Sequence, residues 1–229
     1  MKVFADGADI QRMKEALLTH KVDGFTTNPS LMVKAGISDY LEFAKKAVSE
    51  LSPLPISFEV FSDEFDDMYD QALILSDLGD NVYVKIPVTN TKDESSYGLI
   101  RSLSQSGVKV NVTAIFTEEQ VVDAYDSIDH STPSVISVFA GRIADTLRDP
   151  EPMMRQAAAV CSSNNCELLW ASTREAINIL HASRSGCDII TVPDNILYKF
   201  SIKGKSLKEY SLETVKMFFR DASSAGYSL

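Results

Sequence analysis

A lysine lies inside a run of β-branched and apolar residues, Val82-Tyr83-Val84-Lys85-Ile86-Pro87. Burial favours the uncharged form of an amine, and an uncharged amine attacks a carbonyl to form an imine. The protonated imine is an electron sink, so a neighbouring carbon–carbon bond can break and leave an enamine. That chemistry needs a base for the departing hydroxyl and a group that shuttles protons during imine formation. Asp6 in Phe-Ala-Asp and Glu59 in Phe-Glu-Val supply carboxylates, and Thr113 in Val-Asn-Val-Thr can hold a relaying water. Asn28 and Asn111 can hydrogen-bond substrate hydroxyls. Arg142 and Arg174, with Ser172, can bind a phosphate by charge-assisted hydrogen bonds. Each residue has an ordinary reading taken alone: an aspartate caps the next helix, an asparagine before proline sits in a turn, an arginine is solvated, a lysine snorkels. The joint pattern outweighs these. Asp, Glu and Lys are almost never fully buried unless paired, and here one of each falls within an apolar strand candidate.

Those groups must be held by regular elements. Short β-branched runs alternate with longer stretches of helical period. Strands are expected at 2–6, 22–26, 56–61, 82–87, 108–113, 135–139, 167–172 and 188–192. Helices are expected at 8–20, 39–51, 63–78, 94–105, 118–127, 144–162, 174–185 and 195–200, with Gly79, Gly107 and Gly186 near helix ends. Near-continuous apolar strands, each followed by a helix, mean a parallel sheet covered on its outer face, and eight such units close into a (β/α)8 barrel of roughly 250 residues. The expectation is a single α/β TIM-barrel domain over residues 1–229. An open doubly wound sheet is the alternative, but neither a Gly-rich dinucleotide loop nor a phosphate loop of the P-loop type occurs. Catalytic groups of a barrel sit at the C-terminal ends of its strands. Seven of the eight candidates carry a polar group there, Ser137 on the sixth among them. An extra helix at about 207–222, with Leu212, Val215, Phe219 and Ala222 in a stripe, packs either on its own barrel or on a neighbouring subunit.

The net charge of −10 speaks against nucleic-acid binding, which wants a basic footprint. No apolar run approaches the roughly 20 residues of a membrane span, and the opening Met-Lys-Val-Phe-Ala-Asp-Gly turns polar too soon for a signal peptide. The chain is therefore expected to be cytoplasmic, with no membrane partner. Cys161, Cys166 and Cys187 have neither the even count of a disulfide framework nor zinc-ligand spacing. His20, His130 and His181 form no metal-ligand pair. No metal and no cofactor are expected.

These residues resemble the transaldolase family. The segments that carry the resemblance are Phe-Ala-Asp at Asp6, Thr-Thr-Asn-Pro-Ser around Asn28, Phe-Glu-Val at Glu59, Val-Lys-Ile-Pro at Lys85, Val-Asn-Val-Thr at Asn111 and Thr113, Ser-Val-Phe-Ala-Gly-Arg-Ile from Ser137, and Ala-Ser-Thr-Arg at Ser172 and Arg174. They run through strands one to seven in family order, and the length resembles the short subfamily of small transaldolases and fructose-6-phosphate aldolases. The resemblance implies that Lys85 is the Schiff-base lysine, Asp6 the acid/base for bond cleavage, and Glu59 with Thr113 a water-holding relay. It implies that Asn28, Asn111 and Ser137 bind substrate hydroxyls, and that Arg142, Ser172 and Arg174 bind phosphate. It further implies transfer of a dihydroxyacetone unit between sugar phosphates, from sedoheptulose 7-phosphate to glyceraldehyde 3-phosphate, in the non-oxidative pentose phosphate pathway, by a homo-oligomer. Glu59 and Phe139 match the transferring members, whereas members that release free dihydroxyacetone carry Gln and Tyr there. A fructose-6-phosphate aldolase is the first alternative, and a non-catalytic sugar-phosphate-binding barrel the second. The chain departs from the pattern at Gly7, where many members have a small hydroxyl residue, and the similarity loosens past the seventh strand.

Overall fold

Parallel strands that are apolar on both faces need a helical cover outside and a filled centre inside. In the computed structural model, which describes residues 1–162 and 165–228, the chain builds both within Met1–Leu197. Eight parallel strands close in sequence order: β1 (Lys2–Asp6), β2 (Gly24–Thr26), β3 (Ile56–Glu59), β4 (Val82–Pro87), β5 (Val110–Ile115), β6 (Ser134–Val138), β7 (Cys166–Trp170) and β8 (Ile189–Pro193), with β8 pairing back on β1. Around them run α1 (Ile10–His20), α2 (Pro29–Lys34), α3 (Tyr40–Leu51), α4 (Phe65–Ser76), α5 (Tyr97–Gln105), α6 (Glu118–Ser127), α7 (Ala140–Asp145), α8 (Glu151–Cys161), α9 (Asn178–Arg184) and α10 (Asp194–Leu197). The fold is the expected (β/α)8 barrel.

Helix α3 turns an apolar stripe toward the strands, with Phe43 edge-on to Phe58 of β3. The stripe of α3 comprises Phe43, Ala44, Ala47, Val48 and Leu51, all buried. Helix starts follow local chemistry: Asp9 and Asp39 accept hydrogen bonds from the backbone N–H groups of Arg12 and Glu42, and Thr117 with Gln120 forms a full capping box on α6.

Most strand and helix ends shift by one to four residues, and three departures are larger. The helix expected at 144–162 is two helices, α7 and α8. Pro150 has no N–H to donate and pushes the residue before it out of the helical region, and Leu147 turns the chain at φ 62°. The stretch at 195–200 splits into α10 and a 3-10 turn, Tyr198–Ile202. The short α2, directly after β2, was not anticipated.

Inside the barrel, alternation along the strands sets up two layers. Phe4, Val135, Leu169 and Ile189 form an apolar floor with Tyr83 packed against it. Two residues further along their strands stand Asp6, Ser137, Thr191 and Lys85, while Ala171, just past β7, still packs with the floor. The floor explains Gly24: a Cβ there would come within 2.6 Å of the Phe4 ring, so only glycine lets that ring cross the barrel. On β5 the register with β6 shifts between Val112 and Ile115, and Ala114 sits at φ 60°. This bulge falls beside Thr113, where such irregularities re-aim side chains next to active sites.

Residues Tyr198–Leu229 make a second unit by themselves. Its long helix, α11 (Leu207–Ser224), is capped by Ser206, and Lys205 pairs with Glu213. Leu212, Val215 and Phe219 on this helix are exposed. Among the described residues no helix is long and apolar enough to cross a membrane. Cys161, Cys166 and Cys187 are free and buried.

Candidate active site

Lys85 is only 6% exposed. It lies in register with Glu59 on the neighbouring strand, Glu59↔Lys85. Its Nζ donates to Glu59 Oε2 at 2.8 Å and to the Thr27 carbonyl at 2.9 Å. The main chain of Glu59 is held in turn, because the Tyr40 hydroxyl donates to the Glu59 carbonyl at 2.7 Å and accepts from the Glu59 N–H at 2.9 Å. Helix α3 thus anchors the end of β3. Glu59 touches the amine directly, within reach of its proton.

Asp6, at the end of β1, accepts from Thr26 Oγ1 at 2.7 Å. Burial pushes its carboxyl above the usual carboxylate range, and the neighbouring Glu59 and Asp194 charges push the same way. The Thr26 hydrogen bond and the Lys85 charge pull against that shift, and burial wins. A cavity of about 570 Å³ opens beside Asp6, lined by Arg12, Lys34, Asp194 and Asn195 among others.

Asn111 and Ser137 meet. Ser137 Oγ donates to Asn111 Oδ1 at 2.7 Å, and Asn111 Nδ2 donates to Ser57 Oγ at 3.0 Å. Asn111 is fully buried, so its amide is fixed by the barrel. Thr113 Oγ1 is buried and has no protein partner. Asn28 is also the N-cap of α2, its Oδ1 accepting from the Leu31 N–H at 3.0 Å. The cap uses the amide oxygen, not the amide nitrogen.

The phosphate candidates stand on the rim after β6 and β7. Phe139 precedes α7, packs at a tilt of 48° against Phe116 with ring centroids 5.6 Å apart, and carries the Arg142 guanidinium 5.1 Å from its ring centroid. Arg174 is bound to Asp145, one turn along α7 from Arg142. Ser172 takes φ 63°. Gly141 explains how close these turns run: a Cβ there would lie 1.6 Å from the Ser172 carbonyl oxygen, so any larger residue would force the two loops apart.

The structure thus joins Lys85, Glu59 and Asp6 in one charged cluster, joins Asn111 to Ser137, and brings Arg142 and Arg174 to one helix, α7. Sequence reasoning missed Tyr40, Ser57, Thr26, Thr191 and Asp145. Thr26 and Ser57 carried a usable signal, being polar residues inside apolar runs at inward-facing positions. Tyr40 and Asp145 carried none, because helix residues reach the site only through tertiary packing.

The profile of the Transaldolase/Fructose-6-phosphate aldolase family matches residues 3–229. A protein of Clostridioides difficile (strain 630) named "Probable transaldolase" is 35% identical over 199 residues, 86% of this chain and 88% of its own. Proteins of the same name from Thermoplasma volcanium and Methanococcus maripaludis are 33% and 34% identical, over 86% and 87% of this chain and 86% and 89% of theirs. Among solved structures, 3-hexulose-6-phosphate synthase from Salmonella typhimurium superposes with a TM-score of 0.60 at 14% identity, over 86% of this chain and 91% of that one. It shares the barrel and supports nothing beyond the fold. The match along nearly the whole chain, with relatives above 30% identity, places this protein in the Transaldolase/Fructose-6-phosphate aldolase family.

Proposed function

We propose that this enzyme of transaldolase type transfers a dihydroxyacetone unit from a ketose phosphate to an aldose phosphate through an imine on Lys85. The observation that carries the reading is the Lys85–Glu59 contact of 2.8 Å inside the barrel, with Asp6 close enough to feel both charges. Glu59 takes a proton from Nζ, and the freed amine attacks the C2 carbonyl of the ketose. Loss of water, with Glu59 and Thr113 relaying protons, leaves the protonated imine. The Asp6 carboxylate then takes the C4 hydroxyl proton, the C3–C4 bond breaks, and its electron pair passes to the imine nitrogen as the enamine forms. The shortened aldose departs. A second aldose accepts the enamine carbon, Asp6 returns the proton, and water releases the new ketose from Lys85.

Asn28, Asn111 and Ser137 suit the hydroxyls of the three-carbon unit. Arg142, Arg174 and Ser172 suit the phosphate at the far end of the substrate. Sedoheptulose 7-phosphate and glyceraldehyde 3-phosphate, passing to erythrose 4-phosphate and fructose 6-phosphate, are the substrates that the resemblance implies, in the non-oxidative pentose phosphate pathway of the cytoplasm.

The test is reduction with borohydride in the presence of fructose 6-phosphate, followed by mass spectrometry. The adduct should fall on the peptide carrying Lys85, and Lys85→Met should lose both adduct and turnover. An adduct of normal yield in that variant would sink the assignment.

A further inference from the structure

Thr191 has no part in the mechanism above, yet it is 5% exposed and sits at the level of the reacting groups on β8. Its Oγ1 lies 2.5 Å from Thr26 Oγ1, and Thr26 Oγ1 lies 2.7 Å from Asp6 Oδ1. Thr26 is 3% exposed, so neither hydroxyl exchanges partners freely with bulk water. A hydroxyl has one proton to give. Thr26 spends its proton on Asp6, so in the ionised site the proton between the two threonines belongs to Thr191. The direction of the chain is therefore fixed: Thr191 donates to Thr26, and Thr26 donates to Asp6. The backbone of β8 holds Thr191 in place, because Thr173 Oγ1 donates to the Thr191 carbonyl at 2.7 Å.

We propose that Thr191 is a positioning residue for the acid/base step. By donating to Thr26 it directs that hydroxyl's only proton at Asp6 Oδ1 and leaves Oδ2 to take the substrate hydroxyl proton. The inference rests on the role given to Asp6 under the proposed function. The other charged groups around Asp6 are Lys85 on β4, Glu59 on β3 and Asp194 on α10, with Arg12 of α1 and Lys34 of α2 lining the adjoining cavity. None of these is altered by a change at Thr191. Without the Thr191 donor, Thr26 is less polarised and free to rotate. Its bond to the carboxylate weakens, and the ionised form of Asp6 becomes harder to keep.

The experiment measures kcat and its pH profile for the purified full chain, with fructose 6-phosphate as donor and erythrose 4-phosphate as acceptor. Borohydride trapping on Lys85 with dihydroxyacetone is measured in parallel. Thr191→Val should lower kcat by roughly three- to tenfold, the net worth of one hydrogen bond. The acid limb should move to higher pH by roughly half a unit, with KM and trapping unchanged. Thr191→Ala, which leaves space instead of pressing a second methyl against Thr26, should show the same limb shift. Thr191→Ser keeps the hydroxyl and should behave as wild type. Because Thr191 acts through Thr26, the double variant T26V/T191V should be no slower than T26V alone. The proposal is overturned if T191V and T191A keep the wild-type profile, if T191S loses as much as T191V, or if the double variant is additive. Absence of a trapped Lys85 adduct in the wild-type protein would instead overturn the imine reading itself.

Discussion

Arg174 is held side-on by Asp145: its Nε and Nη2 both donate to Oδ2 of that carboxylate, at 3.1 and 2.6 Å. Asp145 thus fixes the plane of the guanidinium and leaves the remaining nitrogen free to meet an anion. Arg174→Ala should cost roughly 1.5–3 kcal/mol of phosphate binding, the range for a hydrogen bond to a charged group. That loss should appear as a raised KM for a phosphorylated substrate, with little change for dihydroxyacetone. Asp145→Ala should raise the same KM by a smaller factor, because both side chains are about half exposed and an exposed pair is worth about 1 kcal/mol or less. Steady-state kinetics with both substrates decide the matter, and equal effects on both would remove Arg174 from phosphate binding.

Glu59→Gln keeps the shape beside Lys85 and removes the proton acceptor. Turnover should fall by about 10²–10⁴, the range for general acid–base catalysis. The rate of borohydride trapping should fall with it, since the loss acts on imine formation. A variant that traps at the wild-type rate would confine Glu59 to a structural part.

Asp6→Asn should abolish carbon–carbon cleavage while still allowing dihydroxyacetone to be trapped on Lys85. It should also change stability in a way that depends on pH. The folded protein raises the Asp6 carboxyl above its ordinary value, so between the two values the folded chain holds a proton that the unfolded chain has released. Wild-type stability therefore declines as pH rises through that window. Asparagine carries no charge into the same place and can still accept from Thr26. The Tm of Asp6→Asn relative to wild type should climb as pH passes upward from the ordinary carboxylate range, and then level off. A difference that stays flat, or shrinks, would contradict the raised Asp6 carboxyl.

Phe139 packs against Phe116 and beneath Arg142, which keeps its ring at the mouth as an apolar wall. A tyrosine hydroxyl can position water where a phenyl ring excludes it. Phe139→Tyr should raise release of free dihydroxyacetone and lower transfer to erythrose 4-phosphate. The decisive assay follows fructose 6-phosphate with and without the acceptor. If the wild-type protein releases dihydroxyacetone without acceptor as fast as product forms with it, the aldolase alternative replaces transfer.

The order of elements was legible in the sequence because it is local. Runs such as Val82-Tyr83-Val84-Lys85-Ile86-Pro87 show strand composition within a few residues, the intervening stretches show helical period, and eight repeats of that pair allow a closed barrel. The candidate residues were legible for the same reason: Asp6, Glu59 and Lys85 are charges set where local apolar character says burial. Pro150 also announced a helix end, although the expected helix at 144–162 was carried across it. What sequence could not hold was the partner of each group. That Lys85 meets Glu59 follows from the register of β3 on β4. The line from Thr191 through Thr26 to Asp6 depends on barrel closure bringing the last strand beside the first. Tyr40 and Asp145 reach the site from helices outside the barrel, and no spacing along the chain encodes those contacts. Hydrogen bonds form between atoms that meet in space, and only closure of the sheet decides which atoms those are.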